Sequence, residues 1–86
     1  MERSEAVVAL GSLDANDIVL DHKSVSRRHA VVVNLADEVW LYDLASTHGT
    51  LVDGQPVNGR RFLDGVHRIT LGACEFELGA RADLLI

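Results

Sequence analysis

Cysteine occurs once in these 86 residues, as Cys74, which excludes an intrachain disulfide or a four-cysteine zinc site as the means of holding the chain together. Beside Ala73 and Phe76 it reads as a small buried apolar side chain rather than a reactive thiol. Aromatic residues are nearly as scarce, with 1 Trp, 1 Tyr and 2 Phe, so valine, leucine and alanine must fill the core. No apolar run approaches the ~20 residues of a membrane-spanning helix and no secretory signal is legible, so the expected setting is reducing and cytoplasmic, away from membranes. Positive charge is short too: 8 Lys and Arg stand against 13 Asp and Glu, a formal net charge of -5. Nucleic-acid backbones are held by many basic contacts acting together, and this balance argues against such a partner.

What is present suffices for a folded domain. Hydrophobic residues make up 48% of the chain and charged residues 24%, a balance that buries a core. The length predicts a single domain over residues 1–86, near the size at which one core holds without staples. After the polar start Met1–Glu5, the run Ala6–Leu10, stopped by Gly11, reads as a buried strand, and Asp17–Leu20 as a second. His29–Val33 is rich in β-branched residues, and Asn34–Asp37 turns it into Glu38–Asp43, whose alternation leaves Trp40 or Tyr42 on a wet face. Asp53-Gly54, Asn58-Gly59 and Asp64-Gly65 each suit the positive backbone angles of a tight hairpin, between the short strands Thr50–Val52, Gln55–Val57 and Arg61–Leu63. Val66–Leu71 and Ala73–Leu78 form a last hairpin across Gly72, with Glu75 and Glu77 exposed. No helix of useful length, repeat or linker interrupts this spacing, which predicts an all-β sandwich.

Two stretches stand apart chemically. Ser24-Val25-Ser26-Arg27-Arg28-His29 and Ala45-Ser46-Thr47-His48-Gly49-Thr50 are loops that run into apolar strands, and both offer donors suited to an anion. A phosphate monoester needs several short hydrogen bonds from fixed donors with cationic side chains alongside. Ser26, Thr47 and Thr50 supply hydroxyls, Arg27 and Arg28 guanidinium groups, and backbone NH groups near Gly49 can approach closely. Lys23, Arg27 and Arg28 cluster with His22 and His29, so a local pocket is basic on an acidic body.

The order Gly11, Asn16-Asp17-Ile18-Val19-Leu20, Val25-Ser26-Arg27-Arg28-His29-Ala30, Leu41-Tyr42-Asp43-Leu44-Ala45-Ser46-Thr47-His48-Gly49-Thr50 and Val52-Asp53-Gly54 resembles the forkhead-associated domain family over roughly residues 7–78. A lone Ser-x-x-His would be weak; several blocks in one order at compatible spacing are specific. The resemblance implies an FHA-like β-sandwich whose loops, here 21–28 and 44–50, bind phosphothreonine peptides. It implies that Ser26, Arg27 and Thr47 surround the phosphate, that His48 meets the peptide backbone, and that Gly11, His29 and Gly49 serve the scaffold. Plainer roles stand beside these: Ser26 and Thr47 as turn-stabilising hydroxyls, and Arg28 as a solvated loop residue.

Two positions depart from the family pattern. Ser12 stands where the family usually carries the arginine that grips the phosphate, leaving Lys23 as a substitute from the neighbouring loop. His48 stands where asparagine is commoner, and keeps one donor and one acceptor. These departures motivate a second reading, a degenerate FHA-like domain acting as a phosphate-independent interaction or assembly scaffold. Few residues precede Gly11, so the first strands of the family fold are expected to be missing. An N-terminally truncated sandwich would leave the last strand with an open edge, inviting a homodimer or a strand swap, unless Ala82–Ile86 adds a strand of its own. Ser26, His29 and Asp43 include the residue types of a hydrolytic triad, but neither a Gly-x-Ser-x-Gly elbow nor a P-loop is present, so no catalysis is expected. No cofactor is implied, and His22, His29, His48 and His67 lack metal-ligand spacing.

Overall fold

The computed structural model describes residues 5–81, 84 and 85, and side-chain surroundings over residues 7–79. The polar start Met1–Ser4 lies outside them. Every element among the described residues is a strand: β1 Glu5–Gly11, β2 Ile18–Val19, β3 Ala30–Leu35, β4 Glu38–Asp43, β5 Thr50–Val52, β6 Gln55–Pro56, β7 Arg60–Leu63, β8 Gly65–Leu71, β9 Cys74–Arg81 and β10 Leu84–Leu85. They form two five-stranded sheets, ordered β2-β1-β3-β4-β7 and β10-β9-β8-β5-β6. All pairings are antiparallel except the short parallel contact of β1 with β2.

Alternation sets which residues are buried. Val32 of β3, Val39 and Leu41 of β4 and Leu63 of β7 point inward to meet Val52, Ile69, Leu71 and Leu78 of the opposing sheet. Leu10, Val25 and Ala30 close the core at the end where the long loops lie. With so few aromatic residues, the fully buried hydrophobic core is aliphatic, with Phe76 packed against it from β9; Trp40 and Phe62 lie on the outer face of the first sheet, their rings edge to face with 5.4 Å between centroids. Cys74 is half-buried rather than buried, packed against the core from the first position of β9, while Glu75 and Glu77 point outward as expected.

Of the three dipeptides read as hairpins, only Asp53-Gly54 is one, with φ of 51° and 81° between the paired residues Val52 and Gln55. Asn58-Gly59 and Asp64-Gly65 instead carry the chain between sheets, because β7 pairs with β4 while β6 and β8 belong to the other sheet. A positive φ permits any sharp reversal, and the dipeptide alone does not say which strand comes next. The β3–β4 hairpin turns on Ala36 and Asp37, at φ 51° and 70°, with no glycine to signal it. Pro56 lies in β6 at the sheet edge, where its missing NH costs no ladder bond. At the far edge, β10 covers β9 at Ala80 and Arg81, so the expected open edge is partly occupied by a strand from the chain's own end.

Gly72 turns β8 into β9 at φ 59° and lies against the Ser24 backbone, with Ser24 Oγ 2.6 Å from where a Cβ would stand. Gly54, at φ 81°, has open space around it. Gly54→Ala should therefore cost only the backbone strain of an L-residue in that region, about 1 kcal/mol. Gly72→Ala should cost about 2–4 kcal/mol, because backbone atoms of the adjoining loop must also move. Thermal unfolding followed by circular dichroism checks this; equal falls in midpoint would mean that the loop does not rest on the hairpin.

Candidate functional site

Three loops meet at one end of the sandwich: residues 12–17 between β1 and β2, 20–29 between β2 and β3, and 44–49 between β4 and β5. The first two are joined by Ser12 NH donating to the Ser26 carbonyl at 3.1 Å and by Asn16 Nδ2 donating to the Arg27 carbonyl at 2.8 Å. Gly11 permits that approach, since a Cβ there would overlap the Arg27 carbonyl oxygen. The second and third loops are joined through His29, which is wholly buried. Its Nδ1 accepts from Ser26 NH at 3.0 Å, which leaves the proton on Nε2, and Nε2 donates to the Gly49 carbonyl at 2.9 Å. Leu44 NH donates to the His29 carbonyl at 2.9 Å, closing the same joint from the backbone.

These ties place the hydroxyl of Ser26 beside Thr47, whose NH donates to Ser26 Oγ at 3.1 Å. Around them opens a cleft of about 570 Å³ lined by Ser12, Asp21, His22, Lys23, Val25, Ser26, Arg27 and Thr47. Thus five of the sequence-derived candidates, Ser12, Lys23, Ser26, Arg27 and Thr47, border one space. His48 is exposed in the same loop as Thr47 but does not line that space, and Arg28 also lies outside it. Ser26 has its own proton and a remaining lone pair to offer, because the bond from Thr47 uses it only as an acceptor. Two cationic side chains and several hydroxyls at one mouth can bind a small anion, while Asp21, also in the lining, would repel one. Among the described residues, no three His, Cys, Asp or Glu side chains come together to hold a metal, and no helix is long and apolar enough to cross a membrane.

Sequence reasoning overlooked two supports. Ser24 Oγ accepts from Ala73 NH at 2.8 Å and, with Ser24 NH, donates to His22 Nδ1, fastening the cleft loop to the β8–β9 turn. Nothing in the local sequence announces that partner. Asp43, weighed only as a triad member, organises the third loop: Oδ1 accepts from Ser46 Oγ at 2.6 Å and Thr50 Oγ1 at 2.7 Å, and Oδ2 from Ser46 NH at 3.1 Å. Ser46 Oγ in turn accepts from Gly49 NH at 3.0 Å. The Asp-x-x-Ser spacing was the available signal, a short acid bonding the backbone three residues ahead.

Burial raises the Asp43 pKa, but the Ser46 and Thr50 hydroxyls and the Ser46 NH outweigh it, and the carboxyl lies below its ordinary value of 3.8. A depressed folded pKa gives stability that is present above the unfolded value and lost as pH falls through the folded one. Asp43→Asn should therefore destabilise the domain at neutral pH by about 1 kcal/mol, the worth of a partly exposed charged hydrogen-bond cluster. The deficit should begin to shrink as pH falls below the ordinary value of 3.8 and vanish only below the lowered folded value, where the carboxyl is neutral in both states. Urea midpoints of both proteins across that range measure it, and a deficit constant with pH would refute the ionised clasp.

The FHA domain family model matches residues 8–72. The transcriptional regulatory protein EmbR of Mycobacterium tuberculosis is 40% identical over 63 residues, covering 72% of this chain but 16% of EmbR, so the chain spans about a sixth of the length of such curated relatives. The structure of EmbR in complex with a low-affinity phosphopeptide superposes at a TM-score of 0.79 with 35% identity, covering 83% of this chain and 19% of that one. The FHA domain of CT664 from Chlamydia trachomatis gives 0.77 at 27% identity over 87% and 75% of the two chains. The N-terminal FHA domain of S. cerevisiae Rad53p in complex with a phosphothreonine peptide gives 0.73 at 29% identity over 85% and 62%. By sequence and by fold, this chain belongs to the FHA domain family.

Proposed function

We propose that this chain is a phosphothreonine-dependent protein interaction module that takes phosphopeptides at the cleft of loops 21–28 and 44–50. The observation that carries this reading is the meeting of Ser26 and Thr47 across two loops, with Lys23 and Arg27 at the same mouth. Ser26 Oγ and Arg27 would hold the phosphate, Thr47 would support it, and His48, outside the cleft lining, would reach the backbone of the bound peptide. The phosphopeptide complexes of EmbR and Rad53p, on the same fold, support the ligand class. Gly11, His29 and Gly49 hold the loops in register. The module acts by binding, without catalysis or cofactor, in a reducing, cytoplasmic compartment, and residues 1–86 form one such domain.

Ser12 favours a second reading. It lines the cleft where the resemblance places an arginine, so the strongest charge-assisted bond is missing, and a phosphate-independent scaffold would not need it. Calorimetric titration with a phosphothreonine peptide library and its unphosphorylated twin separates the two: binding confined to the phosphorylated form supports the first, and equal binding the second. Ser26→Ala should lower phosphopeptide affinity by about 10–100-fold, the worth of one bond to a charged group. Ser12→Arg should raise it by a similar factor. No gain from the arginine, together with no phosphate dependence in either protein, would leave only the scaffold reading.

A further inference from the structure

The outer face of the first sheet carries an apolar row that the fold leaves uncovered. Val7, Val33, Trp40 and Phe62 stand directly opposite one another across β1, β3, β4 and β7. Val7 is 61% exposed, Phe62 47%, and Leu35, on the same face of β3, 48%. Single exposed apolar residues are ordinary; a contiguous row across four strands marks an interaction surface.

Charge of opposite sign flanks the row on its two sides. Glu38 lies on one, its Oε1 accepting from Trp40 Nε1 at 3.0 Å. Arg60 lies on the other, opposite Tyr42, with its guanidinium carbon 4.6 Å from the Trp40 ring centroid. An interface between identical chains about a two-fold axis must be complementary to itself. A half-turn about the line of the row lays row upon row and swaps its two sides, so each Glu38 comes to the side that holds the other copy's Arg60. Sheets packed about 10 Å apart, with neighbouring strands about 4.8 Å apart, leave these long side chains within reach of each other.

We infer that this face binds a second copy of the chain, sheet against sheet, in a symmetric dimer held by the Val7–Val33–Trp40–Phe62 row and two Glu38–Arg60 pairs. Both charges also touch Trp40 within the chain, and Arg60 Nη1 donates to Tyr42 Oη at 3.4 Å; an unrelated apolar partner would use the row alone, whereas a second copy would meet the charges as well. The phosphopeptide cleft is built from loop residues off this face, so a dimer would present two clefts, and a doubly phosphorylated partner would bind with increased avidity.

Sedimentation equilibrium from micromolar to millimolar concentration is the test. Wild type should shift towards the mass of two chains, while Phe62→Lys and Glu38→Arg should each stay at the mass of one. Combining Glu38→Arg with Arg60→Glu should restore the dimer. Circular dichroism confirms that each variant is folded, and Val7→Lys replaces Phe62→Lys if that variant does not fold. A wild type that stays at one chain throughout, an apolar-to-lysine variant that dimerises undiminished, or a double exchange no better than either single one would each overturn the inference.

Discussion

The buried imidazole of His29 is the joint on which this end of the molecule depends. Each ring nitrogen is committed, one to the NH of Ser26 and the other to the carbonyl of Gly49, so a single side chain fixes two loops at once. Because the ring is wholly buried, neither bond competes with water, and losing it would leave an NH and a carbonyl without their partners. The hydroxyl of Ser26 and the NH of Thr47 meet as a result of that joint. The geometry of the cleft is thus set by a residue beneath it.

Support for the loops is layered. Gly11 lets β1 press against the Arg27 carbonyl, Asn16 bonds the same carbonyl, and Asp43 gathers Ser46 and Thr50 into a compact turn. Asn16 and Asp43 act through short polar side chains bonded to backbone or hydroxyl groups, which fix loop shape at little entropic cost. Preorganised donors of this kind suit a ligand whose charge must be met by several hydrogen bonds together.

Much of this was legible in the sequence. The valine-rich run of β3, the alternation of β4 and the small-residue loops follow from local rules, and the Ser26 and Thr47 loops were expected to converge before any coordinates. What escaped was long-range or ambiguous. Asn58-Gly59 and Asp64-Gly65 mark sharp reversals, yet only tertiary pairing makes them crossings between sheets. The β3–β4 reversal falls within Asn34–Asp37 as expected, but its two positive φ angles at Ala36 and Asp37, without a glycine, were not signalled. Cys74 was expected to be buried, but the first position of β9 leaves it only half covered. His48, which the resemblance assigns to the peptide backbone, lies outside the cleft lining in the same loop as Thr47.

The bond between Ser24 and the Ala73 amide spans 49 positions of sequence. Contacts so distant form only after the intervening chain has been ordered, and loop closure delays them relative to local hairpins. During synthesis, β1 to β4 can pair as soon as they emerge, whereas the wall of the cleft resting on Gly72 must wait for residue 73. Until then the loop that carries Ser24 lacks its anchor, and the support of the cleft is incomplete.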